Sequence, residues 1–256
     1  VKYSELIHVL LRKIDNYILR EEFIVTKQDI LTVEDVFCML DSKLEDQAKR
    51  WDRFYSERWA KAPFILHPDL PDENIKEYFS SSLITPKTVL ELGCGEGRNA
   101  VYMAKQGCEV TAVDLSESAI ANAKTFSKNN NCNVNFICKS IFELGNKTYD
   151  FVYDSGCFHH LPPHRRITYV ELLKKTLNQG GYFGLTCFAW GDKCADEVSD
   201  WEYYEKRRVG VAFTKEKLEQ IFCKDFEVVE IRKYREGKEG TLQGLGFMWT
   251  ALFKKK

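Results

Sequence analysis

The chain has 256 residues, of which 44% are hydrophobic and 29% charged, enough for one soluble α/β domain with an appendage. Lys plus Arg number 37 and Asp plus Glu 38, a balance that argues against an obligatory nucleic-acid surface. No apolar run approaches a membrane span and no secretory leader is expected. The nine cysteines are odd in number and irregular in spacing. That pattern points to a reducing cytoplasm rather than a disulfide framework. No CxxC occurs, so no metal is expected.

Residues 1–50 read as a helical extension. Leu6, Ile7, Leu10, Leu11, Ile14 and Ile18 fall at helical spacing, and Thr32 to Asp35 form a capping box before Val36, Phe37, Met39 and Leu40. The extension carries no legible chemistry; it could pack on the core, cover the site or make a homodimer contact. Residues 51–256 follow as the main domain. They open with Trp51, Phe54, Tyr55 and Trp59, four aromatics within nine positions, and Phe64 lies beyond. This stretch is either a helix face packed on a sheet or a lid over a ligand. Pro68, Pro71 and Asp72 punctuate a loop, and Glu73 to Phe79 is a short helix.

The centre of the chain is Thr88 to Asp114. Val89, Leu90 and Leu92 are a short apolar run that stops at alternating Gly93, Gly95 and Gly97. A buried parallel strand ends this way in a tight turn. A helix follows from Arg98 to Gln106, with Ala100, Met103 and Ala104 inward, then a second strand ends on Asp114. A strand, a glycine loop at a helix N-terminus and an acid about 20 residues on outline a nucleotide-binding βαβ unit. A dinucleotide fold wants a further glycine where Arg98 stands.

The run Glu91-Leu-Gly-Cys-Gly-Glu-Gly97 resembles motif I of the class I S-adenosylmethionine (SAM) methyltransferases. The resemblance implies that Glu91, Gly93, Cys94, Gly95 and Arg98 approach SAM, with Arg98 near the methionine carboxylate or paired with Glu96. It implies that Asp114, with Leu115 beside it, holds the ribose hydroxyls. The aromatic segment is similar to that of the thiopurine- and thiol-methyltransferase and tellurite-resistance methyltransferase branch. There, Trp51 and Tyr55 would close over the cofactor.

Downstream, Ser116 caps a helix with Ala119, Ile120 and Ala123 inward, and Val134 to Ile137 is a third strand. Ser140 and Ile141 take the place where the resemblance puts the adenine contact. Many family members have an acid at that point, so here backbone groups are the expected contact. Asp150 to Asp154 is the fourth strand and runs into Ser155-Gly-Cys-Phe-His-His-Leu161. This loop is similar to motif IV of the small-molecule branch. Asp154 is expected near the methionine amine. His159 is expected to face the acceptor as base or orienting group, with His160 diverging from it. A metal site formed by His159, His160 and His164, or metalloid binding by the thiols of Cys157, Cys187 and Cys194, is the lesser reading.

A helix from His164 to Leu177 should bury Ile167, Val170, Leu173 and Leu177, and a turn at Asn178 to Gly181 leads to a strand over 182–188. The long connection 189–212 is expected to cap substrate. Thr214 caps a further helix, and strands at 226–231 and 247–253 flank a charged, Gly-rich turn. The expected fold is a doubly wound, mostly parallel seven-stranded Rossmann-like sheet with one antiparallel member. The expected activity is in-line methyl transfer from SAM to a small molecule bearing a thiol, hydroxyl, amine or similar group. The alternatives are protein or RNA methylation, or SAM binding without turnover. No membrane partner is expected.

Overall fold

The computed structural model describes residues 29–57, 62, 67–191, 199–206 and 210–256. Trp59, Phe64, Cys194 and the first amphipathic helix of the sequence reading lie outside them. The chain divides between Leu44 and Glu45 into two compact units. In the first, helix α1 (Val33–Asp41) begins with the expected capping box: Asp35 N–H donates to Thr32 Oγ1, and Thr32 N–H donates to the Asp35 carboxylate.

The second unit starts with α2 (Gln47–Ser56), so a boundary at residue 50 cuts through a helix. Asp46 caps that helix by accepting from Lys49 N–H, which is why it begins before the aromatics rather than at them. Next come α3 (Glu73–Ser80), β1 (Thr88–Leu92), α4 (Arg98–Lys105), β2 (Glu109–Asp114), α5 (Glu117–Asn129), β3 (Val134–Cys138) and β4 (Tyr149–Ser155). The chain closes with α6 (Arg165–Thr176), β5 (Leu177–Phe188), α7 (Asp200–Lys206), α8 (Lys215–Phe222), β6 (Phe226–Lys233) and β7 (Met248–Lys255).

The strands form one seven-stranded sheet in the order β3-β2-β1-β4-β5-β7-β6. β1 to β5 pair in parallel, and β7 runs antiparallel to both β5 and β6. The strand order reverses between β1 and β4, and their carboxyl ends are the expected place for a ligand. Leu92 is in register with Asp154 there, so the loops after the two strands emerge side by side. Beneath them the core is closed by Val89, Leu90, Ala100, Met103, Ala112 and Phe151, all fully buried.

Two expectations about packing are corrected. Ile167 is 63% exposed, and α6 instead buries Arg166, Tyr169, Leu173 and Thr176, a face set by Tyr169 against Phe158. The Asn178 to Gly181 turn is absorbed into β5, which pairs with β4 from Leu177 onward with a register shift between Tyr149 and Phe151.

Candidate functional site

A cavity of about 360 Å³ lies at the reversal point, within the size range of small-molecule sites. Its floor is the glycine loop after β1. Cys94 N–H donates to Val113 O at 2.9 Å, tying the loop to β2. Gly95 N–H donates to Asp114 Oδ2 at 2.8 Å, and Ser116 N–H donates to Asp114 Oδ1 at 2.9 Å. Each carboxylate oxygen accepts more than one hydrogen bond, so capacity remains for two hydroxyls. Burial raises the Asp114 pKa, opposed by these amide bonds.

The small loop residues are enforced by neighbours as much as by a ligand. A Cβ on Gly93 would lie 2.6 Å from Cys157 Cβ, and one on Gly95 would lie 2.5 Å from the Tyr55 hydroxyl oxygen. Tyr55 is buried, and both it and Trp51 line the cavity from α2. Asp52, between them in the helix, escapes the sequence reading. Its Oδ1 accepts from Ser116 Oγ at 2.9 Å and from Ser118 N–H at 2.8 Å, fastening α2 to the start of α5 beside Asp114. The signal was present: an acid in an aromatic helix and a serine-rich helix start. Only the fold brings them together. At its other side α2 sets the Trp51 ring edge-on to His160, with centroids 4.7 Å apart.

Glu91 lines the cavity and is 1% exposed, and burial pushes its pKa up to about 8. Its Oε2 has no hydrogen-bond partner among the described residues. A buried acceptor without a donor is costly, and a cationic donor would satisfy it. Arg98 also lines the cavity but does not pair with Glu96, whose Oε1 accepts from Asn122. Its guanidinium sits 2.8 Å from the fully buried Asp72 and donates to Leu70 O and Ser155 Oγ. Asp72 further accepts from Tyr153, Ser155 and Asn99, so the carboxylate before α3 locks α4 to β4. Sequence reading placed Asp72 in a loop. Nothing local marked it as buried.

Leu115, Ser140 and Ile141 line the far wall beyond Asp114. Ser140 Oγ accepts from Phe142 N–H and caps a short 3-10 turn, Ile141–Glu143. Lys139 N–H donates to Asp114 O, holding this turn against β2.

The loop after β4 departs most from expectation. Asp154 is fully buried, and its side chain is absent from the cavity wall. It accepts from Cys157 N–H at 2.8 Å, Phe158 N–H at 3.0 Å and the Tyr169 hydroxyl at 2.6 Å. Those three donors hold the loop in shape. Burial pushes its pKa up to about 6, against the pull of those bonds.

The two histidines do not diverge. His159 Nε2 lies 3.0 Å from His160 Nε2, and both line the cavity. His159 is 2% exposed, stacked on Phe188 at 3.7 Å between centroids, and accepts from Phe188 N–H at Nδ1. Burial and the neighbouring His160 drive its pKa well below the ordinary value. With both nitrogens engaged, His159 is not a free base. His164 belongs to neither: its Nδ1 lies 2.7 Å from the Tyr204 hydroxyl. Among the described residues no group of three or more His, Cys, Asp or Glu could hold a metal.

The remaining wall is Leu161, Pro162, Phe188, Leu245, Phe247 and Met248. Leu245 comes from the Gly-rich connection between β6 and β7, expected to be a bare turn. It is held because Leu242 N–H donates to Pro71 O and the Glu236 carboxylate accepts from Leu245 N–H. The long connection after β5 also reaches the site. Val211 N–H donates to His159 O, and Gly210 lies against Phe188 and His160.

Sheet order, the reversed β7 and a cavity at the reversal point make a Rossmann-like α/β fold. Residues 89–181 match the methyltransferase domain family. The chain is 30% identical over 118 residues to a probable SAM-dependent methyltransferase, TehB, of Haemophilus influenzae; the match covers 46% of this chain and 39% of that protein. It therefore spans well under half the length of that relative. The TehB crystal structure from the same organism superposes with a TM-score of 0.56 at 22% identity, covering 80% of this chain and 67% of that one. A Burkholderia thailandensis 1,6-didemethyltoxoflavin-N1-methyltransferase, solved with bound 1,6-didemethyltoxoflavin and S-adenosylhomocysteine, gives 0.61 at 21% identity, covering 90% and 93%. At these identities the two structures speak to the fold alone. No helix of the described residues is long and apolar enough to cross a membrane.

Proposed function

We propose that the protein transfers the methyl group of SAM to a small-molecule acceptor held between the glycine loop and the post-β4 histidines. The observation that carries this reading is a cavity lined by both loops. Its polar end holds Asp114 and Glu91, and its apolar end holds Phe188, Phe247 and Met248. When bound, SAM supplies a methyl group on a sulfonium, open to in-line displacement. The chain's own residues orient and exclude water. Asp114 accepts the ribose hydroxyls, and the unpartnered Glu91 Oε2 accepts the methionine ammonium. Ser140 and Ile141 frame the adenine. Trp51 and Tyr55 roof the sulfonium, where aromatic faces favour a cation. Arg98 acts at one remove, by holding Asp72 and Ser155.

The enclosed, mostly apolar acceptor end supports a small molecule over a protein or RNA. Seven described cysteines, Cys38 aside, are free thiols, which supports a reducing compartment. The test is production of S-adenosylhomocysteine from SAM, followed by mass spectrometry across a panel of thiols, phenols, amines and heterocycles. Turnover with panel members establishes the reading. Tight SAM binding with no turnover on any small molecule, but methylation of protein or RNA, overturns it.

A further inference from the structure

The acceptor end of the cavity is walled where β5 meets β7. Phe188 closes β5 and Met248 opens β7, and the two are register partners in this antiparallel pair. Residues directly opposite in such a pair carry their side chains on one face. Met248 N–H donates to Leu245 O at 2.8 Å, closing a turn that sets Leu245 beside them. Leu245 joins Tyr234, Leu242 and Met248 in a small buried cluster, against which Phe188, Phe247 and Leu70 pack. Fixed points outside the sheet hold that cluster. The Tyr234 hydroxyl donates to Leu242 O at 2.8 Å, and the Glu236 carboxylate accepts from Gly244 N–H and Leu245 N–H. Arg235 and Lys238 pair with Glu77 of α3 at 2.8 and 2.7 Å. The wall is thus braced by its own chain.

Charge is distributed unevenly along the cavity. Histidines aside, its charged groups among the described residues are Glu91, Glu96, Arg98 and Asp114, all from β1 to the end of β2. Three are acids, and Arg98 lies 2.8 Å from Asp72, which neutralises it. A charged group pressed against the β5–β7 wall would lose its water and gain no counter-charge there. Phe188 and Phe247, with centroids 6.0 Å apart, favour an aromatic face or edge instead. We propose that the acceptor presents an uncharged aromatic or heteroaromatic ring system to Phe188, Leu245, Phe247 and Met248, and that Leu245 sets the size of ring admitted. The assignment rests on the methyltransferase reading above and narrows its acceptor to molecules with no charge away from the reacting atom. Leu245 has this part because it cannot move aside. It is 4% exposed, its N–H is held by Glu236 and its carbonyl by Met248 N–H. In a close-packed wall, volume added or removed at such a side chain passes directly to the ligand. Phe247, by contrast, is only half-buried.

The test uses the chain's three methionines, Met39, Met103 and Met248. Of these, Met248 lines the cavity, and Met103 is buried in the main core. In protein labelled with ¹³C at the methionine methyls and saturated with S-adenosylhomocysteine, the Met248 signal, assigned with Met248→Leu, reports whether the wall is occupied. It is titrated at neutral pH with 2-naphthol, 2-naphthoate and 2-naphthylmethylammonium, and with phenol, benzoate and benzylammonium. In at least one trio the uncharged member should shift the Met248 methyl with a Kd about tenfold or more below both charged members. A charged member that binds as tightly, or a Met248 methyl that responds to neither uncharged ring, overturns the acceptor class. Leu245→Ala should move the preference for 2-naphthol over phenol up by about tenfold, and Leu245→Phe should move it down. An unchanged ratio in the folded variants overturns the role of Leu245. Leu245→Val makes a smaller cut should the alanine variant not fold, and an unchanged ratio there overturns it equally. Failure of S-adenosylhomocysteine to bind would count against the methyltransferase reading instead, and the same titration of the cofactor-free protein would still decide the wall.

Discussion

Gly93→Ala should damage the site far more than a glycine change that differs from it only in surroundings. Gly93 and Gly107 both have left-handed backbones, with φ of 66° and 90°. An L side chain there costs about 1–2 kcal/mol. Around Gly107 a new Cβ meets nothing within 4 Å, so Gly107→Ala should lose that strain energy and no more. At Gly93 the new Cβ would lie 2.6 Å from Cys157 Cβ, an atom fixed to the backbone that no rotamer can move aside. Overpacking of this kind adds about 1–3 kcal/mol. For a domain of this size each kcal/mol is about 2–4 °C in melting temperature. Gly107→Ala should therefore lower Tm by about 2–8 °C and Gly93→Ala by about 4–20 °C. The two variants should also separate in function. Restoring ordinary contact at 3.4 Å needs the glycine loop and the post-β4 loop to part by about 0.8 Å. Displacements of that order cost about a hundredfold in rate. Calorimetric unfolding and steady-state methyl transfer measure the two effects. Adding Cys157→Gly to Gly93→Ala removes the colliding atom, so the double mutant should recover part of both losses as a coupling energy. Equal penalties for Gly93→Ala and Gly107→Ala, or strict additivity with Cys157→Gly, would refute the argument.

Trp51→Ala should weaken SAM binding measured by calorimetry while thermal stability changes little, because the ring lines the cavity and is only partly buried. A large fall in Tm with unchanged affinity per folded molecule would make it a packing residue instead. Asp154→Asn should destabilise the fold by about 1–3 kcal/mol, since the amide cannot accept all three of its present donors. SAM affinity per folded molecule should be unchanged; a loss would restore Asp154 as a counter-charge to the methionine amine. The folded-state pKa of Glu91, about 8, is above its ordinary 4.5. Its contribution to stability is thus complete below about pH 4.5 and lost as pH rises through about 8. Glu91→Gln should flatten that part of the unligated protein's pH–stability curve. Binding of SAM's ammonium should release a proton from Glu91 near pH 7.5, seen as a buffer-dependent heat; equal heats in all buffers would count against that contact.

Local signals made the first strand, the glycine loop and the acid after the second strand legible. The apolar run of β1, the glycines and Asp114 specify strand, turn and acid within one continuous stretch, and the sheet puts them where that stretch implies. Ser116 and Thr214 cap their helices by the expected rule. What the sequence concealed are contacts between distant segments. Asp72 finds Arg98, Tyr153 and Ser155 only after α3 docks, and Asp52 finds Ser116 only when α2 reaches α5. Asp154 stood at a strand end beside a ligand loop, and polarity there argued for a ligand role. The structure spends that charge on the loop's own amides. Adjacent histidines usually diverge, but a 3-10 turn over Phe158–His160 brings their rings together. The helix face of α6 was misjudged because arginines at its start are buried by partners outside it, Asp200 and the Phe213 ring for Arg166.

The central claim is that SAM binds in this cavity with its ribose on Asp114. Isothermal titration of SAM, S-adenosylhomocysteine and NAD into wild type and Asp114→Ala tests it directly. Wild type should bind the two adenosyl ligands in preference to NAD. Asp114→Ala removes charged hydrogen bonds worth about 1.5–3 kcal/mol, so both should weaken about tenfold to a hundredfold. A folded Asp114→Ala protein with undiminished SAM affinity would contradict it, as would a wild type that prefers NAD.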